Sequence, residues 1–253
     1  SGLPRPQPPR RTQLTRRQRS RADMRCHAVV PAAGAGKRFG AGIPKQYLLL
    51  AGRSIQQHTL DRLSAMPELA SVAVAVAPDD ELAVGLAYAQ PQRLRFVVGG
   101  RERMDSVLAG IEALRAVGAV DDDWVLVHDV ARPLLRPADV RLLLATLDGQ
   151  AVGGLLASPV RDTMKRGDAS GLVLDTVPRE QLWHALTPQM FPIGTLKRAL
   201  EEGLALGAAI TDEASAMERA GFPVRMVEGR ADNIKVTRPE DLEWLRQRWA
   251  GRR

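Results

Sequence analysis

The stretch Ala28-Val-Val-Pro31-Ala-Ala-Gly34-Ala-Gly36-Lys-Arg38-Phe-Gly40-Ala-Gly-Ile-Pro44-Lys45-Gln46 runs from a short apolar segment straight into a loop rich in glycine and cations. Glycines let backbone N–H groups come close to an anion, and Lys37, Arg38 and Lys45 add positive charge. The combination points to a polyphosphate and so to a nucleotide. Two familiar fingerprints are excluded. A P-loop needs Ser or Thr after Gly-Lys, and Arg38 stands there. A dinucleotide loop needs glycine three residues after Gly36, and Phe39 occupies that place. A plain flexible connection is the competing reading, but such a loop gains nothing from clustered cations.

Working outward, apolar strand-like runs alternate with helix-like patterns. Strands are expected at Ala28–Pro31, Ser71–Ala77, Leu94–Val98, Trp124–His128 and Val152–Ala157. Val107, Leu108, Ile111 and Leu114 share one helical face, as do Val140, Leu143, Leu144 and Leu147. Helices are also expected at Thr195–Leu206 and Asp212–Ala220, with a capping box Thr237-Arg-Pro-Glu240 opening a last one. The alternation predicts an α/β protein: right-handed βαβ units and a mostly parallel, twisted sheet flanked by helices. Ligands then bind beyond the carboxyl ends of the strands, where the glycine loop and His128-Asp129 lie. The pattern breaks at 158–183, which is polar, carries turn signals at Gly167-Asp168 and Ser170-Gly171, and reads as a projecting β-hairpin arm. Too small to be stable alone, the arm is expected to pack on a second subunit.

The net charge of +7 does not describe the body of the chain. Residues 1–23 hold seven arginines against one aspartate, so they account for +6 and the rest for +1. A nucleic-acid-binding domain is therefore not indicated. The Arg/Pro-rich start reads as a disordered basic extension, a leader or translated upstream sequence, with Ser1-Gly2 as a cloning remnant and Met24 as the natural start. Residues 24–253 read as one domain. Cys26 is the only cysteine, so an intrachain disulfide is excluded and a reducing compartment, the cytoplasm, is expected. No apolar run is long enough to span a membrane as a helix.

The four histidines are dispersed and form no zinc motif, and no Gly-x-Ser-x-Gly elbow is present. Cations in loops stand out instead: Arg38, Lys45, Arg132, Arg161, Arg179 and Lys235. Nucleotidyl transfer needs positioning and charge neutralisation more than a covalent nucleophile. Several of these residues have ordinary structural readings. Asp129 could cap a helix, Arg132 brace a turn, Thr163 pair across the hairpin, Thr211 serve as an N-cap, and Ser106 sit as a plain helix residue.

Eight segments in order complete the picture: Pro31-Ala-Ala-Gly-x-Gly-x-Arg38, Pro44-Lys45-Gln46, Asp105-Ser106-Val107, Val127-His-Asp-x-Ala-Arg-Pro133, Pro159-Val-Arg-Asp-Thr163, Leu182-Trp-His-Ala-Leu-Thr-Pro-Gln189, Ile210-Thr-Asp-Glu-Ala-Ser215 and Asp232-Asn-Ile-Lys-Val-Thr237. From about Cys26 to the last helix the chain resembles the 2-C-methyl-D-erythritol 4-phosphate cytidylyltransferases of the non-mevalonate isoprenoid pathway. The resemblance implies a Rossmann-like nucleotidyltransferase fold, a homodimer and attack of the substrate phosphate on the α-phosphorus of CTP. It implies a magnesium ion held mainly by the triphosphate. It implies that Arg38 and Lys45 stabilise the transition state, that Lys235 orients the attack, and that Arg179 grips the polyol phosphate from the other subunit. Ala32, Ala33, Gly100 and Ser106 would read cytosine, with Gly34 and Gly36 in the same nucleotide loop. Asp129 would face the ribose or the metal, and Arg132, Thr163, Thr187 and Thr211 the second substrate. Three positions depart from the family pattern: Arg101, where some relatives are acidic, Val130 and Lys37. The competing readings are a cytidylyltransferase for another polyol phosphate, such as ribitol 5-phosphate, and a non-catalytic nucleotide-binding protein.

Overall fold

The computed structural model describes residues 24–34, 43–148 and 153–250. The basic extension 1–23 and the loop carrying Gly36, Lys37 and Arg38 lie outside the described residues. In chain order the elements are β1 (Cys26–Pro31), a 3-10 turn (Lys45–Tyr47), β2 (Leu49–Leu50), β3 (Arg53–Ser54), α1 (Ile55–Ser64), β4 (Leu69–Val76), α2 (Glu81–Gly85), a 3-10 turn (Pro91–Arg93), β5 (Leu94–Val98) and α3 (Arg103–Ala116). Then follow β6 (Trp124–Val127), α4 (Pro137–Leu147), β7 (Gly154–Pro159), β8 (Met164–Gly167), β9 (Val173–Val177), β10 (Trp183–Pro192), α5 (Ile193–Ala205), α6 (Glu213–Arg219), β11 (Arg225–Glu228) and α7 (Pro239–Ala250).

Seven strands form one sheet in the order β11-β7-β10-β6-β1-β4-β5. All neighbours pair parallel except β10, which runs antiparallel to both β6 and β7. Both faces of the sheet are apolar, as a sheet covered by helices on two sides requires. Ala28, Val30, Val72, Val74 and Leu126 point into one core, with Leu60 and Leu63 of α1 and Val140, Leu143 and Leu147 of α4. The alternate residues Val29, Ala73, Val125 and Val127 point into the other, with Val107, Ile111 and Leu114 of α3 and Leu196 and Leu200 of α5. The two-residue period of the strands thus sorts side chains between two cores. A third cluster, including Leu50, Ile55, Val236, Leu242 and Leu245, fastens α7 beneath the β2–β3 corner.

At Gly110 α3 comes so close to β1 that an added Cβ would lie 2.5 Å from Val29 Cγ1. Alanine there would gain about 1 kcal/mol of helix propensity. The clash is with a fully buried branched side chain, and overpacking of about 1–3 kcal/mol outweighs that gain, so Gly110→Ala is expected to lose up to about 2 kcal/mol net, read from denaturant unfolding.

The structure corrects four readings of the sequence. β6 stops at Val127, so His128 opens the loop. Residues 183–192 form the longest strand among the described elements, and β11 adds a sheet edge; neither is in the strand set expected from the sequence. Thr187-Pro188 interrupts the alternation in β10, and the register with β7 slips between Ala185 and Gln189. Finally, α7 is capped by Asp241 rather than Glu240. Its carboxylate accepts the N–H groups of Thr237 and Arg238 at 2.8 Å each, with Pro239 as the first helical residue.

Between β7 and β10, β8 and β9 pair antiparallel as a separate two-stranded sheet. Asp168 shapes the tip by accepting N–H groups from Ser170 and Leu172, and Gly171 takes φ +87°. Leu172, Val173 and Leu174 are exposed.

Candidate active site

The strands β1, β5 and β6 all deliver their carboxyl ends to one edge of the sheet, and a cleft of about 190 Å³ opens there. Ala32, Ala33 and Gly34 line it from the end of β1, Gly100 from the turn after β5, and Ser106 from the start of α3. Asp129 lines it from the end of β6, with Lys45 and Lys235 arriving from more distant loops. Four cations (Lys45, Arg101, Arg103 and Lys235) and two carboxylates (Glu102 and Asp129) face the same space, so it carries a positive excess.

Each wall has a local reason for its shape. The turn Gly99–Glu102 closes on the first turn of α3. Ser106 Oγ accepts the Gly100 N–H at 3.3 Å, and Asp105 accepts the Glu102 N–H at 3.0 Å. A Cβ at Gly100 would fall 2.1 Å from that of Asp105, which leaves no room for a side chain. Ser106 is therefore a brace for the turn as well as a wall residue. Gln46, buried beside Lys45, donates to the Ala32 carbonyl at 3.0 Å and fixes the start of the glycine loop. The Lys45 ammonium donates to the Val236 carbonyl at 2.9 Å, drawing the Pro44-Lys45-Gln46 turn onto the 232–237 loop.

Asp129 is the electrostatic centre. Lys235 Nζ lies 2.9 Å from Oδ2, Arg103 Nη2 lies 3.3 Å from Oδ1, and Arg132 Nε lies 3.7 Å from Oδ2. Burial alone would raise this carboxyl's pKa, but the charges of Arg103, Lys235 and Arg132 hold it well below the usual carboxylate range. No helix begins at Asp129, so it is not a helix cap.

Behind Asp129 a chain of hydrogen bonds fixes its backbone. The Asp129 N–H donates to Thr187 Oγ1 at 3.1 Å. Thr187 Oγ1 stands 3.0 Å from His128 Nδ1, and His128 Nε2 stands 3.0 Å from the Arg132 carbonyl. A carbonyl only accepts, so Nε2 carries the proton and Nδ1 accepts from the threonine. Burial pushes the His128 pKa down to about 4, so the ring is neutral at pH 7. Arg132 Nη1 donates to the Asn233 carbonyl at 2.6 Å, and Asn233 Nδ2 to that of Thr187 at 2.7 Å. Arg132 and Thr187 are thus buried supports of the Asp129 and Lys235 loops.

The remaining expected residues do not line this cleft. Thr163 and Arg179 are exposed at the root of the β8–β9 hairpin, where Arg179 donates to the Arg161 carbonyl. Thr211 is exposed before α6, whose N-cap is Asp212, accepting the Ser215 N–H at 2.9 Å. Gly36 and Arg38 lie outside the described residues. Sequence reasoning missed Arg103, and it quoted Gln46 and Glu213 within motifs without giving either a role. Arg103 left a trace: a cation in the first turn of a helix opposes the dipole and calls for carboxylate partners.

The description "IspD: 2-C-methyl-D-erythritol 4-phosphate cytidylyltransferase" belongs to the family model that matches residues 26–246. A protein of that name from Aeromonas hydrophila subsp. hydrophila is 62% identical over 215 residues, 85% of this chain and 86% of the relative. One from Pseudomonas putida (strain GB-1) is 57% identical over 226 residues, covering 89% and 96%. The crystal structure of the Francisella tularensis protein of that name superposes with a TM-score of 0.75 at 32% identity, covering 89% of this chain and 99% of that one.

Proposed function

Because the chain belongs to the 2-C-methyl-D-erythritol 4-phosphate cytidylyltransferase family, we propose that the cleft at the ends of β1, β5 and β6 is where it moves CMP from CTP onto 2-C-methyl-D-erythritol 4-phosphate. The enzyme is a nucleotidyltransferase of the non-mevalonate isoprenoid pathway. Its products are 4-diphosphocytidyl-2-C-methyl-D-erythritol and pyrophosphate. The observation that carries the placement is the convergence of Lys45, Lys235 and Asp129 on the backbone of Ala32–Gly34 and Gly100.

In the reaction, an oxygen of the polyol phosphate bonds to the α-phosphorus of CTP in line with the departing pyrophosphate, whose bridging bond breaks. Reactants and transition state are polyanionic, so fixed cations do most of the work. Lys45 and Lys235 serve at the reacting phosphorus, with Arg38 from the glycine loop. Ala32, Ala33 and Gly100 meet the base largely through backbone groups, with Ser106 holding the turn and Gly34 and Gly36 opening the loop to the phosphates. Thr163, Thr211 and Arg179 serve the polyol phosphate, while the buried Arg132 and Thr187 act through Asp129.

Among the described residues no group of three or more His, Cys, Asp or Glu side chains is placed to hold a metal. Asp129, one of two carboxylates lining the cleft, suits a magnesium ion that is coordinated mainly by substrate phosphates. Such an ion would draw negative charge off the triphosphate. The working form is a homodimer in this reading. The exposed Leu172, Val173 and Leu174 offer the hairpin as its contact, and Arg179 then reaches the cleft of the second subunit. The cytoplasm is the assigned compartment, supported by the lone buried Cys26. No helix among the described residues is long and apolar enough to cross a membrane.

Pyrophosphate release tests the reading. Release is expected with CTP and 2-C-methyl-D-erythritol 4-phosphate, and much less with other nucleoside triphosphates. Faster turnover of ribitol 5-phosphate would transfer the assignment to that substrate. No release with any polyol phosphate would leave only nucleotide binding.

A further inference from the structure

Arg103 is the first residue of α3, where its charge opposes the helix dipole. Two carboxylates compensate it. Nη1 and Nη2 both donate to Glu213, Nη2 at 3.1 Å to Oε2, while Nε and Nη2 each reach Asp129 Oδ1 at 3.3 Å. Glu213 is fully buried at the start of α6. A buried carboxylate without a cation is costly, and among the described residues the cation that pairs with it is Arg103. One planar guanidinium therefore joins three elements: α3, just after the Gly99–Glu102 wall, the loop after β6, and α6, just after Thr211.

We propose that Arg103 is a positioning residue for the Asp129–Lys235 pair and that Glu213 is its anchor. The proposal rests on the reading of the cleft given above. Arg103 occupies Oδ1 of Asp129 and leaves Oδ2 to Lys235. The rotation of the carboxylate, and with it the placement of the Lys235 ammonium, follows from where Glu213 holds the guanidinium. A lysine at 103 keeps the charge but cannot span both carboxylates with a rigid fork. Glutamine at 213 keeps the size but loses the charge that fixes the arginine.

Steady-state kinetics of Arg103→Lys, Glu213→Gln and the double variant test this, with melting temperature measured alongside. Each single change is expected to lower kcat roughly tenfold or more while the KM for CTP moves by less than about threefold. The double variant should lose about as much as the worse single one, because the two residues act as a unit. Unchanged kcat in properly folded single variants, or losses that multiply in the double variant, would overturn the proposal. Arg103 is partly exposed, so Arg103→Lys gives the kcat and KM answer even if Glu213→Gln does not fold. Wild-type enzyme is the separate control: no pyrophosphate release from it would strike the functional reading instead.

Discussion

Asp129→Ala is expected to cut pyrophosphate release by at least about a hundredfold and to lower stability by about 3–5 kcal/mol. Removing one partner of a buried ion cluster leaves the others uncompensated. Here the orphans are Arg132, which is buried, and Lys235, while Arg103 keeps its second partner, Glu213. Asp129→Asn keeps the shape and the Thr187 contact to the backbone N–H, so it isolates the charge. The folded-state pKa lies below the ordinary carboxylate value. The stabilisation is therefore complete above the unfolded value of about 3.9, and it is lost as pH falls through the folded one. The stability gap between wild type and Asp129→Asn should accordingly be wide at neutral pH and narrow in strong acid. Denaturant titrations at both pH values measure it. A gap that stays constant with pH would show that charge is not the cause.

Lys45→Ala is expected to lower kcat by about 10²-fold to 10³-fold, or about 3–4 kcal/mol of barrier, with little change in folding. The hydrogen bond from Lys45 to the Val236 carbonyl is half-exposed, and such a bond contributes only about 1 kcal/mol. Its value lies in a charge already positioned before the phosphates arrive. The comparison of kcat with unfolding free energy separates the two roles. Turnover at the wild-type level would remove Lys45 from the reacting centre. Equal losses in stability and activity would make it a structural tether.

Much of this architecture is legible from local pattern. Val107, Ile111 and Leu114 recur at helical spacing, and all three are fully buried. Val29 and Val30 sit one apart and enter opposite cores. Because βαβ units send loops to one edge, Ala32–Gly34, Gly100 and Asp129 could be expected together before any coordinates. β10 is not legible in this way. Thr187-Pro188 breaks its alternation, and its burial comes from neighbours distant in sequence. The Arg103–Glu213 pair spans 110 positions, and local periodicity cannot announce such a contact. Thr211 attracted notice as a polar residue before a helix, yet the first cap is Asp212 and the buried charge is Glu213. Three successive polar residues look interchangeable until packing assigns them.

The chain leaves the sheet at the end of β7, forms the β8–β9 hairpin and returns as β10 directly beside β7. That segment is a closed excursion: its departure and return points are already stitched together by the sheet. Its length can drift over generations without disturbing strand register, since closure entropy grows only slowly with loop length. The same geometry confines the effect of an insertion at the Asp168–Gly171 tip to the hairpin and its proposed dimer contact, while the sheet that frames the cleft is left in place.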